Sequence, residues 1–127
     1  MCYISYFANI KNIPKDVEVV GIVYSMPKGL EGKHRNITDL APTSQIIRLW
    51  KSGKITWNEY CYLYYRDVLS QLDFKDIVEQ LGDKDVCMCC YEVNGTYCHR
   101  YLVKRWFEMK GIEVVEINNK IGGNQRL

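Results

Sequence analysis

Residues 83–117 read DKDVCMCCYEVNGTYCHRYLVKRWFEMKGIEVVEI and decide the fold. The first part is apolar on both sides, which is typical of a central strand, and we place that strand at 86–91. Apolar residues then recur at helical spacing through 97–110, and Thr96 can cap this helix. A second apolar run at 112–117 predicts another strand. A strand, a helix and a strand in this order predict a βαβ crossover.

The rest of the chain mixes strands and helices in the same way. The predicted strands lie at 3–7 and 17–24, a long loop at 25–40, and the predicted helices at 41–53, 55–72 and 73–81. Thr56 and Glu59 are spaced as a capping box, and Asp73 can cap the third helix. The pattern predicts an α/β fold, a single three-layer domain at 1–117 whose mainly parallel sheet is flanked by helices. We expect a flexible tail at 118–127.

The composition of the 127 residues excludes several classes of protein. With 47% hydrophobic and 25% charged residues, the chain is typical of soluble globular domains. No apolar run approaches the roughly 20 residues of a spanning helix, and the start lacks a signal-peptide pattern, so we expect a cytoplasmic protein without a membrane partner. The 17 basic and 15 acidic residues are too balanced to predict non-specific nucleic-acid binding.

Four of the six cysteines fall in the segment that begins at Cys87 and ends at Cys98. Because we expect a reducing compartment, we expect free thiols and set a disulfide framework aside. Cys87 and Cys89 alternate on a buried strand and are best treated as small apolar residues. Cys90, Cys98 and His99 can converge as three ligands of an open zinc site, although their spacing matches structural zinc sites poorly. No cofactor is predicted, and zinc stays open as an alternative.

Candidate reactive residues follow the predicted central strand. Ligands collect beyond the carboxyl ends of parallel strands, which places 91–100 at the rim where chemistry would occur. Cys98 falls in the first turn of a helix, where the backbone N–H groups stabilise a thiolate, so it is the candidate nucleophile. His99 is the candidate base and Glu92 the orienting or acid group, while Arg100 suits a phosphate or carboxylate. The structural alternative, in which these side chains pack inward or bind nearby carbonyls, stays open.

Several segments resemble the family called Domain of Unknown Function 488. They are CCYE at 89–92, CHRYLVKRWFEMKGIEVVEI at 98–117, and YISYFANIKNIP at 3–14. The similarity covers nearly the whole chain, and the Cys-x-Glu element followed by Cys-His-Arg carries most of it. The resemblance implies a compact α/β domain without an established activity. It also implies a shared site at the matching positions, which are Cys90, Glu92, Cys98, His99 and Arg100.

The resemblance extends to other candidate ligand-binding residues. Tyr60 and Tyr64 match recurrent tyrosines of the family, and amphipathic packing is their structural alternative. Relatives often carry a basic residue after the second strand, where this chain has Tyr24 and Ser25. The resemblance therefore leaves an anion contact from this edge in doubt, and Lys28 is the candidate substitute.

These observations predict a site for a small anionic or nucleotide-type ligand at the carboxyl ends of the strands. Group transfer and hydrolysis both fit a nucleophile, a base and an anion clamp placed close together. Two alternatives stay open, a non-catalytic module that binds such a ligand and a Cys/His metal site. Whether the protein is an enzyme and how many copies assemble are also open.

Overall fold

A computed structural model of the protein describes residues 1–92 and 97–118. The four strands are β1 (Cys2–Tyr6), β2 (Glu18–Gly21), β3 (Val86–Cys90) and β4 (Val114–Glu116). They form one sheet in the order β2-β3-β1-β4, and every neighbouring pair is parallel. The predicted α/β fold with a parallel sheet and flanking helices is confirmed. Thr96 and all of the predicted tail except Asn118 lie outside the described residues.

Strand β3 lies inside the sheet, and this position explains why its sequence is apolar on both sides. All five of its residues are buried, since β1 and β2 pair with its two edges and α4 packs against it. Cys87 and Cys89 are completely buried, and their sulfur atoms lie 3.9 Å apart. Hydrogen bonding to Cys89, together with burial, raises the pKa of the Cys87 thiol. Cys87 is therefore a small apolar residue of the core rather than a reactive thiol.

Strand β2 ends at Gly21, earlier than the apolar pattern predicts. Beyond this point the chain pairs with the return of the long loop: the Gly21 N–H donates to the Arg35 carbonyl (2.9 Å), and the Gly21 carbonyl accepts from the Ile37 N–H (2.8 Å). The Asn36 side chain bonds both backbone groups of Val23. A Cβ on Gly21 would lie 2.6 Å from the Asn36 Oδ1 atom, so the close approach of the loop requires glycine here.

Local sequence signals set the starts of three helices. The first three are α1 (Ser44–Lys51), α2 (Trp57–Asp67) and α3 (Phe74–Leu81). Both bonds of the predicted capping box are present, since the Glu59 N–H donates to the Thr56 hydroxyl (3.1 Å) and the Thr56 N–H donates to the Glu59 carboxylate (2.8 Å). Asp73 caps α3 as predicted, and α3 ends at Gly82 with a φ of 85°.

Helix α4 (His99–Met109) carries the chain from β3 to β4. The predicted strand–helix–strand unit is present, but β4 pairs with β1 rather than with β3, so the crossover passes over β1. Phe74 of α3 meets the rings of Trp106 and Phe107 edge to face, both at 5.0 Å between ring centroids. No helix in the described ranges is long and apolar enough to cross a membrane.

Candidate functional site

A pocket of about 300 Å³ lies beyond the carboxyl ends of β2 and β3. Its lining comes from the segment after β2 (23–25), from α1, from Tyr60 of α2, and from the residues at 91–92 and 97–99. The Tyr91 hydroxyl donates to the Ser25 carbonyl (2.5 Å) and so joins the segments that follow the two strands. The pocket lies where an open parallel sheet places its ligands.

Aromatic side chains make up one wall of the pocket. Trp50, Tyr60 and Tyr97 line it, and Trp57 packs behind them. The Trp57 and Tyr60 rings are stacked with centroids 4.6 Å apart, and the Trp50 and Tyr97 rings meet edge to face at 5.9 Å. Burial, with a smaller contribution from the Glu92 carboxylate, raises the pKa of Tyr60. The wall is therefore neutral, flat and partly solvent-facing, since Tyr97 is exposed.

Cys98 lies at the inner end of the pocket, directly before α4. It is the N-cap residue of the helix rather than part of the first turn, and the Arg100 N–H points at its sulfur atom at 3.5 Å. Only 2% of Cys98 is exposed, yet it belongs to the pocket lining. A sulfur atom at this position receives the N–H groups of a helix start, which stabilise negative charge.

His99 lines the same end of the pocket and is held in one tautomer. Its Nε2 atom lies 2.6 Å from the Ile22 carbonyl oxygen, which can only accept, so Nε2 carries the hydrogen. The ring of Tyr64 packs edge to face against the imidazole at 5.7 Å. Burial lowers the pKa of His99 to about 4. His99 is therefore neutral near pH 7, and its Nδ1 atom keeps a lone pair.

The sulfur atoms of Cys90 and Cys98 lie at disulfide distance from each other. Sequence reasoning set disulfides aside and expected these two residues to be able to converge as metal ligands, and their sulfur atoms lie close enough for either arrangement. The reason is spatial, because the last residue of β3 and the N-cap of α4 face each other across the connection between the two elements. Adjacent cysteines such as Cys89 and Cys90 point to opposite faces of a strand, but that argument does not apply to residues eight positions apart.

Cys90, Cys98 and His99 form a group that has the composition of a metal site. Two sulfur atoms and one imidazole nitrogen lie within 4.8 Å of one another. Two cysteines and one histidine are the protein ligands of one class of zinc site that keeps an open position. The bond from His99 Nε2 to the Ile22 carbonyl has the form in which metal-binding histidines are usually oriented. In the reduced protein, the donor set therefore fits zinc.

Arg100 does not reach the pocket. Its side chain is completely buried, and its Nη1 atom donates to the Glu92 carbonyl (2.7 Å) and to the Cys90 sulfur (3.1 Å). Its Nη2 atom donates to the Tyr101 hydroxyl (3.0 Å) and lies 3.7 Å from the Glu116 carboxylate. The geometry therefore differs from the expected anion clamp, and the guanidinium supports the sulfur pair from behind.

The other predicted ligand-binding residues divide into two groups. Glu92 and Tyr60 line the pocket, whereas Tyr64, Lys28 and Cys90 do not. The buried Tyr64 hydroxyl donates to the Leu40 carbonyl (2.6 Å), so its polar group is used inside the core. Lys28 is exposed on the long loop, and Cys90 lies behind Cys98.

Sequence reasoning missed Trp50, Lys51, Tyr97 and the Ile22 carbonyl. From the sequence alone, Trp50 belongs to the apolar face of its helix and Lys51 is an ordinary cation of the last turn. Their place in the pocket follows only from the sheet order, which brings α1 to the ends of the strands. Tyr97 directly precedes the Cys-His-Arg element, and this position was the one available signal. A backbone carbonyl such as that of Ile22 carries no sequence signal.

Comparisons with known proteins support the resemblance stated from the sequence. The family model DUF488-N3a, described as the active DUF488-N3 subclade, matches residues 5–111. The matched range includes the last two residues of β1, all of β2, β3 and α4, and every residue of the pocket lining. No curated protein and no solved structure matches the chain.

Proposed function

The chain belongs to the DUF488 family, and we propose its function from the pocket itself. The protein binds a small nucleotide-type ligand and acts on it by group transfer or hydrolysis. One observation carries this proposal: Cys98, His99 and Glu92 line the same pocket as a wall of aromatic rings. The word "active" in the description of the matched subclade also favours chemistry over binding alone.

The lining favours a ligand with a planar ring and a charged group. Trp50 and Tyr97 offer flat faces and edges on which a base can stack, as aromatic residues do in many nucleic-acid-binding proteins. Lys51 is exposed on the pocket lining and supplies a positive charge in place of Arg100 and Lys28. The Glu92 carboxylate adds an acceptor for a hydroxyl or amino group.

The chemistry uses the reduced form of Cys98. Its sulfur atom attacks an electrophilic atom of the ligand, the new bond to sulfur forms, and the bond to the leaving group breaks. His99 Nδ1 accepts the thiol proton and then gives it to the leaving group, while the Glu92 carboxylate orients the ligand. Water or a second acceptor then releases the intermediate. Because His99 has a pKa of about 4, the N–H groups at the start of α4 rather than an imidazolium ion stabilise the thiolate.

Binding of nucleosides and nucleotides to the reduced protein tests the ligand class. We expect quenching of tryptophan fluorescence with saturation, and weakening by about tenfold in Trp50→Ala and Tyr97→Ala, because removing one stacked ring costs about 1–3 kcal/mol. Tyr62→Ala removes an exposed ring of α2 that lies outside the lining and should bind as wild type does. Equal loss in all three variants, or no saturation with any nucleotide, contradicts the proposal.

A catalytic site and a binding module differ in what Cys98→Ser does. For a catalytic site, the variant still binds the ligand but no longer forms product or a covalent adduct on the protein, as measured by intact mass. For a binding module, wild type forms neither product nor adduct with any ligand that saturates the pocket. The two outcomes separate our proposal from the non-catalytic alternative.

A metal site is the second candidate function, and the donor atoms within 4.8 Å of one another favour it. Cys90, Cys98 and His99 would hold zinc, which supplies an activated water when it is bound with an open position. Elemental analysis of protein purified without chelator decides between the candidates. One zinc per chain that is lost in Cys90→Ser supports the metal site, and metal-free stable protein removes it.

A further inference from the structure

The two sulfur atoms of the Cys90–Cys98 pair differ in access. Cys98 belongs to the pocket lining, whereas Cys90 has no exposed surface and lies outside that lining. A small molecule that enters the pocket therefore meets Cys98 first. The two atoms are nevertheless in contact, so a change at one is transmitted to the other directly.

The guanidinium of Arg100 distinguishes Cys90 from its neighbours on the strand. Arg100 is completely buried, donates to the Cys90 sulfur at 3.1 Å, and has an Nε atom without a partner in the described part of the chain. Its nearest carboxylate, Glu116, is 3.7 Å away and also accepts from the Tyr101 hydroxyl. A buried cation that is incompletely paired favours negative charge on the sulfur beside it, and a thiolate is the form of cysteine that attacks another sulfur.

We propose that Cys90 and Cys98 are a redox-active pair that reduces small hydroperoxides. The Cys98 thiolate attacks the outer peroxide oxygen, the O–O bond breaks, and the alcohol or water leaves with a proton, so that Cys98 becomes a sulfenic acid. The Cys90 thiolate then attacks the Cys98 sulfur, the S–S bond forms, and hydroxide leaves as water. The net reaction converts two thiols and a hydroperoxide into a disulfide, an alcohol and water.

Each residue has a distinct role in this reaction. Cys98 is the peroxide-reactive sulfur at the pocket, Cys90 is the buried resolving sulfur, and Arg100 is a positioning residue for Cys90. An external dithiol returns the pair to the reduced state by exchange. Oxidation of the pair removes the nucleophile and so stops ligand turnover. This consequence rests on the proposed function, whereas the redox reaction itself does not.

The test uses the full chain, reduced with dithiothreitol, freed of it and treated with an equimolar amount of hydrogen peroxide. Remaining thiols are then blocked, and the chain is cleaved after Glu92, which lies between the two cysteines. We expect the fragments that carry Cys90 and Cys98 to stay joined until a reductant is added. Cys61→Ser removes a half-buried thiol on α2 and should give the same joined fragments.

Two single variants assign the roles. In Cys90→Ser the sulfenic acid has no resolving partner, so labelling of Cys98 with dimedone should rise at least about tenfold over wild type. In Cys98→Ser, Cys90 should be neither labelled nor joined to another cysteine. Fragments that never join, a Cys90 label in Cys98→Ser, or one equivalent of bound zinc that protects both cysteines overturns the proposal.

Arg100→Lys separates positioning from folding. It should slow formation of the disulfide several-fold while dimedone labelling of Cys98 in Cys90→Ser/Arg100→Lys equals that of Cys90→Ser alone. A change in both readouts contradicts the positioning role. Nucleotide binding is measured separately on reduced protein without peroxide, so loss of binding alone counts against the proposed function and leaves the redox result intact.

Discussion

His99 is the residue whose chemistry depends most on its surroundings. In the sequence it is a candidate base beside a candidate nucleophile, and this much followed from the Cys-His-Arg element. Its tautomer depends on the Ile22 carbonyl and its low pKa on burial behind Tyr64, and both are tertiary features. Sequence spacing could therefore name the residue but could not determine its protonation state.

The low pKa of His99 predicts a specific acid sensitivity. Because the folded-state pKa of about 4 lies below the ordinary 6.5, the unfolded chain binds more protons between these values. The stabilising contribution is fully present above pH 6.5 and is lost as the pH falls toward 4, by about 2–3 kcal/mol. Urea unfolding between pH 7 and pH 4.5 measures it.

His34 provides the control for this experiment, since it is the other histidine of the chain and is half-buried on the long loop. His99→Gln should flatten the fall in unfolding free energy over this pH range, whereas His34→Gln should keep it. If both variants keep the wild-type slope, His99 is not the group responsible.

At the scale of elements, the starts of α2 and α3 were predictable, whereas the end of β2 and the cap of α4 were not. The capping box of α2 and the cap of α3 depend on residues three or fewer positions apart, so a single sequence contains them. The early end of β2 depends on Asn36 and its neighbours, which return from the long loop. Cys98 as the cap of α4 was missed because Thr96 is the more usual capping residue.

Helix α4 is fixed to the sheet by Arg100, and we expect this contact to matter for stability. Arg100→Ala leaves the Glu92 carbonyl and the Tyr101 hydroxyl without their buried donor, so the free energy of unfolding should fall by about 3 kcal/mol. Arg105→Ala removes an exposed arginine from the same helix and should change it by less than about 0.5 kcal/mol. If chemical denaturation of the two reduced variants shows similar losses of unfolding free energy, Arg100 has no special role in stability.

At the scale of the whole molecule, the sequence indicates the class of fold but not the composition of the pocket. Alternating strands and helices with an apolar β3 predict a parallel sheet, and the sheet order then brings α1 to the ends of β2 and β3. Trp50 and Lys51 could be recognised as pocket residues only from this arrangement. Arg100 was misplaced because the direction of a side chain on α4 depends on how the helix packs over β1, β3 and β4.

The central claim is that the Cys98 sulfur is the reactive group of a ligand pocket, and the alkylation rate of Cys98 tests it most directly. In reduced protein at pH 7, we expect iodoacetamide to modify Cys98 at least about tenfold faster than Cys61, whose pKa is raised by burial. We expect a saturating nucleotide to slow the alkylation of Cys98 without affecting that of Cys61. Modification of Cys98 that is no faster than that of Cys61 and is unchanged by every nucleotide contradicts the account.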